Sequence, residues 1–535
     1  MQPTYTQPVK AHVRTRILEH AVSTLTKRRA RAPVVRADEF QHTLNYARHY
    51  LDKFSITDGW SDEIQIEAES WLDFHRAQIG RRKPQELRVL YLCGPEPVND
   101  LEVLLSLGVI PQNIWAVESE RDLYRNAVDQ LKHHSSYIRI HHGNLDRFFE
   151  QVNERFDIIY IDACGPLPSG KPNTLHLPLK LAHHERLAPL GMLITNFAEP
   201  AEDRRDIYAD LLANYFSPRY SDFPECLFKD DVDPAIAHHE IGYLRPYVHK
   251  HIPEIYSDFV TRFLVDLARS IVPQRRILAN PELRRKYFAP EDQLSGALRK
   301  ATAVPHLNEE DKKLSNGELI KRIYSQMGDV HLSPEGYPVA TFLRRTARHE
   351  QLHSLLNPLF IEKVDGEKIK MADALLTAGL MEHIIEGHWE AASQEMLSAI
   401  KGSWFDAEGG IFCDVPMPNL LINSLFGIYG HPYLVNPRAS LRVSYTAKST
   451  RMYTDCLLFD QCRYYFDFWP TIDLVPERFR SPAFQLILRT CLDRMGRHDW
   501  ASSSHPFRGA ALGGFGEFKS AEAYEFAARQ EVTAP

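Results

Sequence analysis

Apolar residues return at every third or fourth position through the first part of the chain. Ile17, Ala21 and Leu25 fall on one such stripe, and Phe40, Leu44, Ala47, Tyr50 and Leu51 on another. A period of about 3.6 residues predicts helices from about Lys10 to Gly80. The pattern changes at the polar hinge Arg81-Arg82-Lys83-Pro84. Short strand-like segments follow, at 87–93, 114–117, 137–141, 157–162 and 191–197, most of them rich in apolar residues. Amphipathic stretches separate them. One runs through Leu101, Leu104 and Leu105 to a stop at Gly108; another starts at the capping-box spacing Ser119-Glu120-Arg121-Asp122 and continues to about Lys132. Helices are also expected between the fourth and fifth runs. Buried strands alternating with helices imply right-handed crossovers and a parallel sheet. The expected fold class is therefore α/β, a doubly wound parallel sheet with a helical N-terminal segment.

Beyond about Tyr220 the alternation fades. Residues 251–274 read as one amphipathic helix, and the charged, proline-broken stretch 276–316 as a linker. Helical periodicity returns from about Gly317 to Ile400, notably over 372–400. The last 130 or so residues, rich in aromatics and turns, stay unassigned, and the tail from Gly509 to Gly516 reads as flexible by composition. The expected organisation is a helical region at 1–84, an α/β domain at 85–250, a helix and charged linker at 251–316, and a helical or mixed C-terminal domain at 317–535.

Composition narrows the classes. The chain has 535 residues, 44% of them hydrophobic and 25% charged, which excludes wholesale disorder and fibrous repeats. A net charge of −7 argues against a uniformly basic coat for nucleic acid. The seven cysteines are odd in number and none has CxxC spacing, so a disulfide framework is not expected. No run approaches the ~18 apolar residues of a membrane span, and the first residues lack the apolar core of a secretory signal. The expectation is a cytoplasmic protein with no membrane partner, compatible with a homo-oligomer.

In open α/β sheets ligands bind beyond the carboxyl ends of the strands. After the first run comes Cys93-Gly94-Pro95-Glu96-Pro97, in which Gly94 lets a turn approach a ligand closely. After the second comes Glu118, a carboxylate suited to both hydroxyls of a ribose. Gly143-Asn144-Leu145-Asp146 follows the third, and Asp162-Ala163-Cys164-Gly165-Pro166 the fourth. These segments, in this order and spacing, resemble the class I S-adenosylmethionine-dependent methyltransferases, whose domain is Rossmann-like; the resemblance covers about residues 85–220. It implies S-adenosylmethionine as cofactor. By position, Gly94, Pro95 and Glu96 would line its methionine end, Glu118 would hold the ribose, Asn144 and Leu145 would contact the adenine, and Asp162 would stand beside the transferring methyl. The sequence departs from that family in having one glycine in the first turn, with prolines at 95 and 97 that offer no N–H donors, and Asn144 where an aspartate is commoner. DACGPLP is somewhat similar to the fourth-strand segments of tRNA guanine dimethyltransferases and of aminopropyltransferases.

Asp162 is the candidate catalytic residue. It follows an apolar run and has no cationic neighbour in sequence, so partial burial would suit it to general-base work. Lys27, Arg28, Arg29 and Arg31 form a basic cluster that reads either as a solvated helix end or as an arm on phosphates. The second reading makes nucleic acid the favoured methyl acceptor, with protein as the other macromolecular choice. The histidine pairs 133–134, 141–142, 183–184 and 238–239 diverge on helix or strand, which disfavours a shared metal. No GxGxxG, GxSxG or P-loop is present. The competing reading is a binding or scaffold protein with a methyltransferase-like fold and no turnover.

Overall fold

A computed structural model describes residues 7–53, 61–134, 137–163, 165–170, 173–218, 241–290, 293, 338–347, 349–364, 367–370, 391–402, 417–469, 478, 481–498 and 524–533. The expectations for 294–337, for 371–390, for the tail at 509–516 and for His238 and His239 lie outside these residues, as do Cys164, Cys226 and Cys413.

Three helices open the chain: α1 (Pro8–Leu25), α2 (Ala37–Lys53) and α3 (Asp62–Ile79). The hydroxyl of Ser61 accepts from the Ile64 N–H to start α3, and Gly80, at φ +59°, ends it. The expected alternation follows: β1 (Val89–Leu92), α4 (Val98–Ser106), β2 (Ile114–Glu118), α5 (Arg121–His134), β3 (Arg139–His142), α6 (Leu145–Gln151), β4 (Phe156–Asp162), α7 (His176–His183), β5 (Leu187–Ala198) and α8 (Arg205–Phe216). Strands β1 to β5 are parallel and lie in the order β3-β2-β1-β4-β5. This is a Rossmann-like doubly wound sheet.

The central strands β1, β2, β4 and β5 are mainly apolar because both faces of the sheet are covered there, whereas the edge strand β3 is partly exposed. Val89, Tyr91, Ala116, Ile158 and Ile194 face a core shared with α1, α4 and α5. Leu90, Trp115, Val117, Ile159 and Leu193 face a second core shared with α6, α7, α8 and the helix Ile252–Asp266. That helix continues through Leu267–Ile271 into Val272–Ala279, extending the amphipathic stretch beyond its expected end. The start of the expected linker is also helical, over Pro281–Tyr287. Pro281 occupies the first helical position, where its missing N–H costs nothing, and Asn280 caps the Glu282 and Leu283 amides.

The unassigned C-terminal region completes the sheet. A small hairpin, β6 (Ile361–Val364) with β7 (Glu367–Lys370), stands apart from it. After a helix at Met417–Gly430 come β8 (Leu434–Val435), β9 (Leu441–Ala447) and β10 (Thr450–Asp460). β10 runs antiparallel to β5 from Met452↔Ala198 to Asp460↔Leu190, and β9 pairs antiparallel with β10. A last strand, β11 (Gln530–Glu531), lies parallel to β9. Just before it, Arg529 reaches the buried Asp455 of β10 at 2.6 Å, and Asp455 also accepts from the Thr261 hydroxyl at 2.6 Å. The C-terminal segment is thereby tied into the sheet by a charge pair that is buried and also hydrogen-bonded.

Candidate functional site

In this strand order the chain reverses direction across the sheet between β1 and β4, so the crevice for a ligand lies beyond their carboxyl ends. β1 leads into the Cys93–Pro97 turn. Gly94 has φ +56°, and a Cβ added there would meet nothing within 4 Å. The turn needs glycine for its backbone, and the space beside it is open. The two prolines reduce its donors, and the turn is held from outside instead. The Tyr91 hydroxyl donates to the Pro97 carbonyl at 3.0 Å, Gln130 to the Pro95 carbonyl at 3.3 Å, and Asn99 to the Glu96 carboxylate at 2.7 Å. Cys93 is buried; that burial and the nearby negative charge of Glu118 push its thiol up to about 12, so it is no nucleophile.

Glu118 ends β2 and is 8% exposed. Its Oε1 accepts from the Glu120 N–H at 2.9 Å, so Glu118 itself supplies the side-chain contact at the entrance to α5. Its second carboxylate oxygen accepts no hydrogen bond from the described residues. Asn144 acts locally, its Oδ1 capping α6 by accepting from the Arg147 N–H at 2.9 Å. The Leu145 side chain is buried in the core beneath. Both expected adenine contacts thus sit at the third strand's end, with their side chains already engaged in cap and core.

Asp162 ends β4, and a cation from outside its own stretch of sequence reaches it. The Lys10 ammonium of α1 lies 2.8 Å from its Oδ2, and Asn196 Nδ2 donates to its Oδ1 at 2.8 Å. Asp162 is a paired carboxylate, with a cation delivered by a distant part of the chain. Asn196, buried in β5, also donates to the Tyr445 hydroxyl oxygen at 3.1 Å and accepts from the Thr454 hydroxyl at 2.8 Å. That leaves the hydroxyl proton of Tyr445 to donate elsewhere. Burial, reinforced by the charge of Asp162, pushes the Tyr445 phenol up to about 12, so it stays protonated. One turn of α1 further on, Arg14 Nε donates to the buried Asp100 of α4 at 2.7 Å. Burial raises the Asp100 carboxyl to about 6 because it outweighs the attraction of Arg14, and the like charge of Asp162 adds to the rise.

The site is therefore built from β1, β2, β4, β5, β9, α1 and α4. Sequence reasoning missed Lys10, Arg14, Asp100, Asn196 and Tyr445. Only Asn196 left a signal, as a lone amide inside the apolar run Leu193-Ile194-Thr195-Asn196-Phe197. The basic cluster does not join this site. Lys27, Arg28 and Arg31 are exposed near the opposite end of α1, whereas Arg29 turns inward and donates to the Ile79 carbonyl at 2.8 Å. Its burial lowers the guanidinium's pKa. Among the described residues, no group of three or more His, Cys, Asp or Glu could hold a metal, and no helix is long and apolar enough to cross a membrane.

No family model and no curated protein matches the sequence. Among solved structures, the chain is similar to one described as a "putative caffeoyl-CoA O-methyltransferase" from Staphylococcus aureus, at 13% identity and a TM-score of 0.16. The match covers 40% of this chain and 89% of that one.

Proposed function

We propose that this chain is an S-adenosylmethionine-dependent methyltransferase whose site lies at the carboxyl ends of β1, β2 and β4. The observation that carries the reading is the open space beside Gly94, flanked by Glu118 on one neighbouring strand and Asp162 on the other.

The residues suit the cofactor's parts. Glu118 has one carboxylate oxygen available for ribose hydroxyls. Arg14 and Asp100 supply a cation and an anion for the zwitterionic amino-acid end. The cofactor, when bound, supplies a methyl group activated on a sulfonium. What remains for this chain's own residues is to hold the acceptor in line and steady the proton that it loses. Asp162 would accept a hydrogen bond from the acceptor's N–H or O–H, Asn196 would fix the carboxylate, and the Tyr445 hydroxyl would donate to an acceptor oxygen or nitrogen. A nucleic-acid acceptor draws on the arginines exposed beyond α1, which lie far from Asp162; the side chains around Asp162 favour no acceptor class.

Titration of the full chain with S-adenosylhomocysteine, followed by transfer of labelled methyl to RNA, DNA, protein and small phenols, tests the reading. Binding with turnover supports it, and no binding at millimolar ligand sinks it. One observation favours the second reading, ligand binding without turnover: the pairing of Asp162 with Lys10. Tight binding without transfer to any acceptor would put that reading first.

A further inference from the structure

We infer that the cavity near the C-terminal end of α1 binds a small phosphoryl-bearing ligand. The cavity has a volume of about 280 Å³, and Arg28, Arg31, Arg36, Arg438, Asn436 and Glu39 contribute to its walls. These residues come from the segment after α1, the start of α2 and the loop between β8 and β9. Arg36 is occupied by Asp38, at 2.8 Å, and by Glu39. Among the described residues no carboxylate pairs with Arg28, Arg31 or Arg438.

Three guanidinium groups that line one cavity with no carboxylate paired to them among the described residues repel each other, and an anion placed between them removes that repulsion. The planar fork of arginine matches phosphate oxygens two at a time. Two of the three are held in place: Arg28 donates to the Thr24 hydroxyl at 3.0 Å, and the Arg438 guanidinium lies 4.8 Å from the centre of the Tyr524 ring. Asn436 is a fixed part of the wall: it is 4% exposed, and its Nδ2 donates to the Ala32 carbonyl at 2.8 Å.

The volume suits a small molecule, near the lower end of the ~300–1,000 Å³ of ligand pockets. From Lys10 to Thr24, α1 rises about 21 Å, so this cavity is separate from the site at Asp162 and stands independently of the proposed methyl transfer.

Isothermal titration of the full chain with ribose 5-phosphate, ribose, inorganic phosphate and a single-stranded oligonucleotide tests the inference. Ribose 5-phosphate should bind and ribose should not. The double variant Arg31→Gln, Arg438→Gln should weaken ribose 5-phosphate at least tenfold, the scale of losing charge-assisted contacts. Both side chains are exposed, so its melting temperature without ligand should match wild type. No binding of ribose 5-phosphate at millimolar concentration, or equal binding by the double variant, overturns the site. Inorganic phosphate, which presents the same oxygens to the arginines, should also bind. An oligonucleotide that alone loses affinity in the variant would reassign the arginines to a polymer-binding surface.

Discussion

The ammonium of Lys10 lies 2.8 Å from the carboxylate of Asp162, joining the first turn of α1 to the last residue of β4. Because of this contact the N-terminal helix is part of the site's wall as well as cover for the sheet. The pair is partly exposed, at 26% and 20% of the two side chains, so its worth to folding is small, about 0–1 kcal/mol. Lys10→Ala should therefore leave stability within about 1 kcal/mol of wild type in urea titration, while lowering methyl transfer several-fold through a disordered Asp162. Unchanged turnover in that variant would reduce the pair to a surface contact.

Glu118→Ala should weaken S-adenosylhomocysteine by more than tenfold with little loss of folding. Charge-assisted hydrogen bonds from ribose hydroxyls are worth roughly 1.5–3 kcal/mol, one to two decades of affinity. The carboxylate also accepts from the Glu120 N–H, so a modest fall in melting temperature should accompany the loss. Titration curves identical to wild type would leave Glu118 with only that local contact.

Gly94→Ala separates backbone strain from ligand exclusion. At φ +56° a side chain costs roughly 1–2 kcal/mol, but the added Cβ meets no protein atom within 4 Å. The variant should fold with a stability loss of that order by chemical denaturation. A larger loss would mean that the turn has protein neighbours and is no ligand cradle.

The five parallel strands were legible within a few residues, because β1, β2, β4 and β5 are buried on both faces and read as apolar runs, and β3, the partly exposed edge strand, follows from the alternation with helices. The strands that finish the sheet were not. β10 carries Thr454 and Asp455 in its buried middle, matched by Asn196, Thr261 and Arg529, and polar residues satisfied at long range look like turn residues when read alone. The first half of β5 was hidden by Pro189 and Gly191. The Pro189 carbonyl accepts from the Gln461 N–H, and a Cβ at Gly191 would lie 2.9 Å from Leu187. The positions of Gly94, Glu118 and Asp162 at strand ends followed from strand order. Lys10, Arg14 and Tyr445 reach the site from α1 and β9, and no local pattern announces contacts of that kind.

Asp100 should give stability a pH dependence of its own. Its folded carboxyl is raised to about 6, above the ~3.9 of an unfolded chain. The folded state therefore holds this proton more tightly, and the stability so gained is full below about pH 4 and lost as pH rises through 6. Asp100→Asn lacks the proton. The stability of wild type relative to the variant should fall by about 2 kcal/mol between those pH values, read from urea titrations at each. A difference that does not vary with pH would show that Arg14 keeps Asp100 ionised throughout.

Asp162→Asn distinguishes a reacting group from a strand cap. The change keeps the side chain's shape and an oxygen for the Asn196 amide, and it removes the charge that faces Lys10. Lys10 is partly exposed, so leaving its ammonium without this carboxylate should cost little stability. Cofactor contacts assigned to Gly94, Glu118, Arg14 and Asp100 are untouched, and S-adenosylhomocysteine affinity should stay within a few-fold. Turnover should fall about 10²-fold or more, the scale of losing a group that steadies a proton in the transition state. Because Lys10 is the partner, the double variant Lys10→Met, Asp162→Asn should be no slower than Asp162→Asn alone; two independent roles would instead multiply. If neither affinity nor turnover moves in the single variant, Asp162 does no more than anchor α1 to the sheet, and the acceptor's proton must be handled by another group.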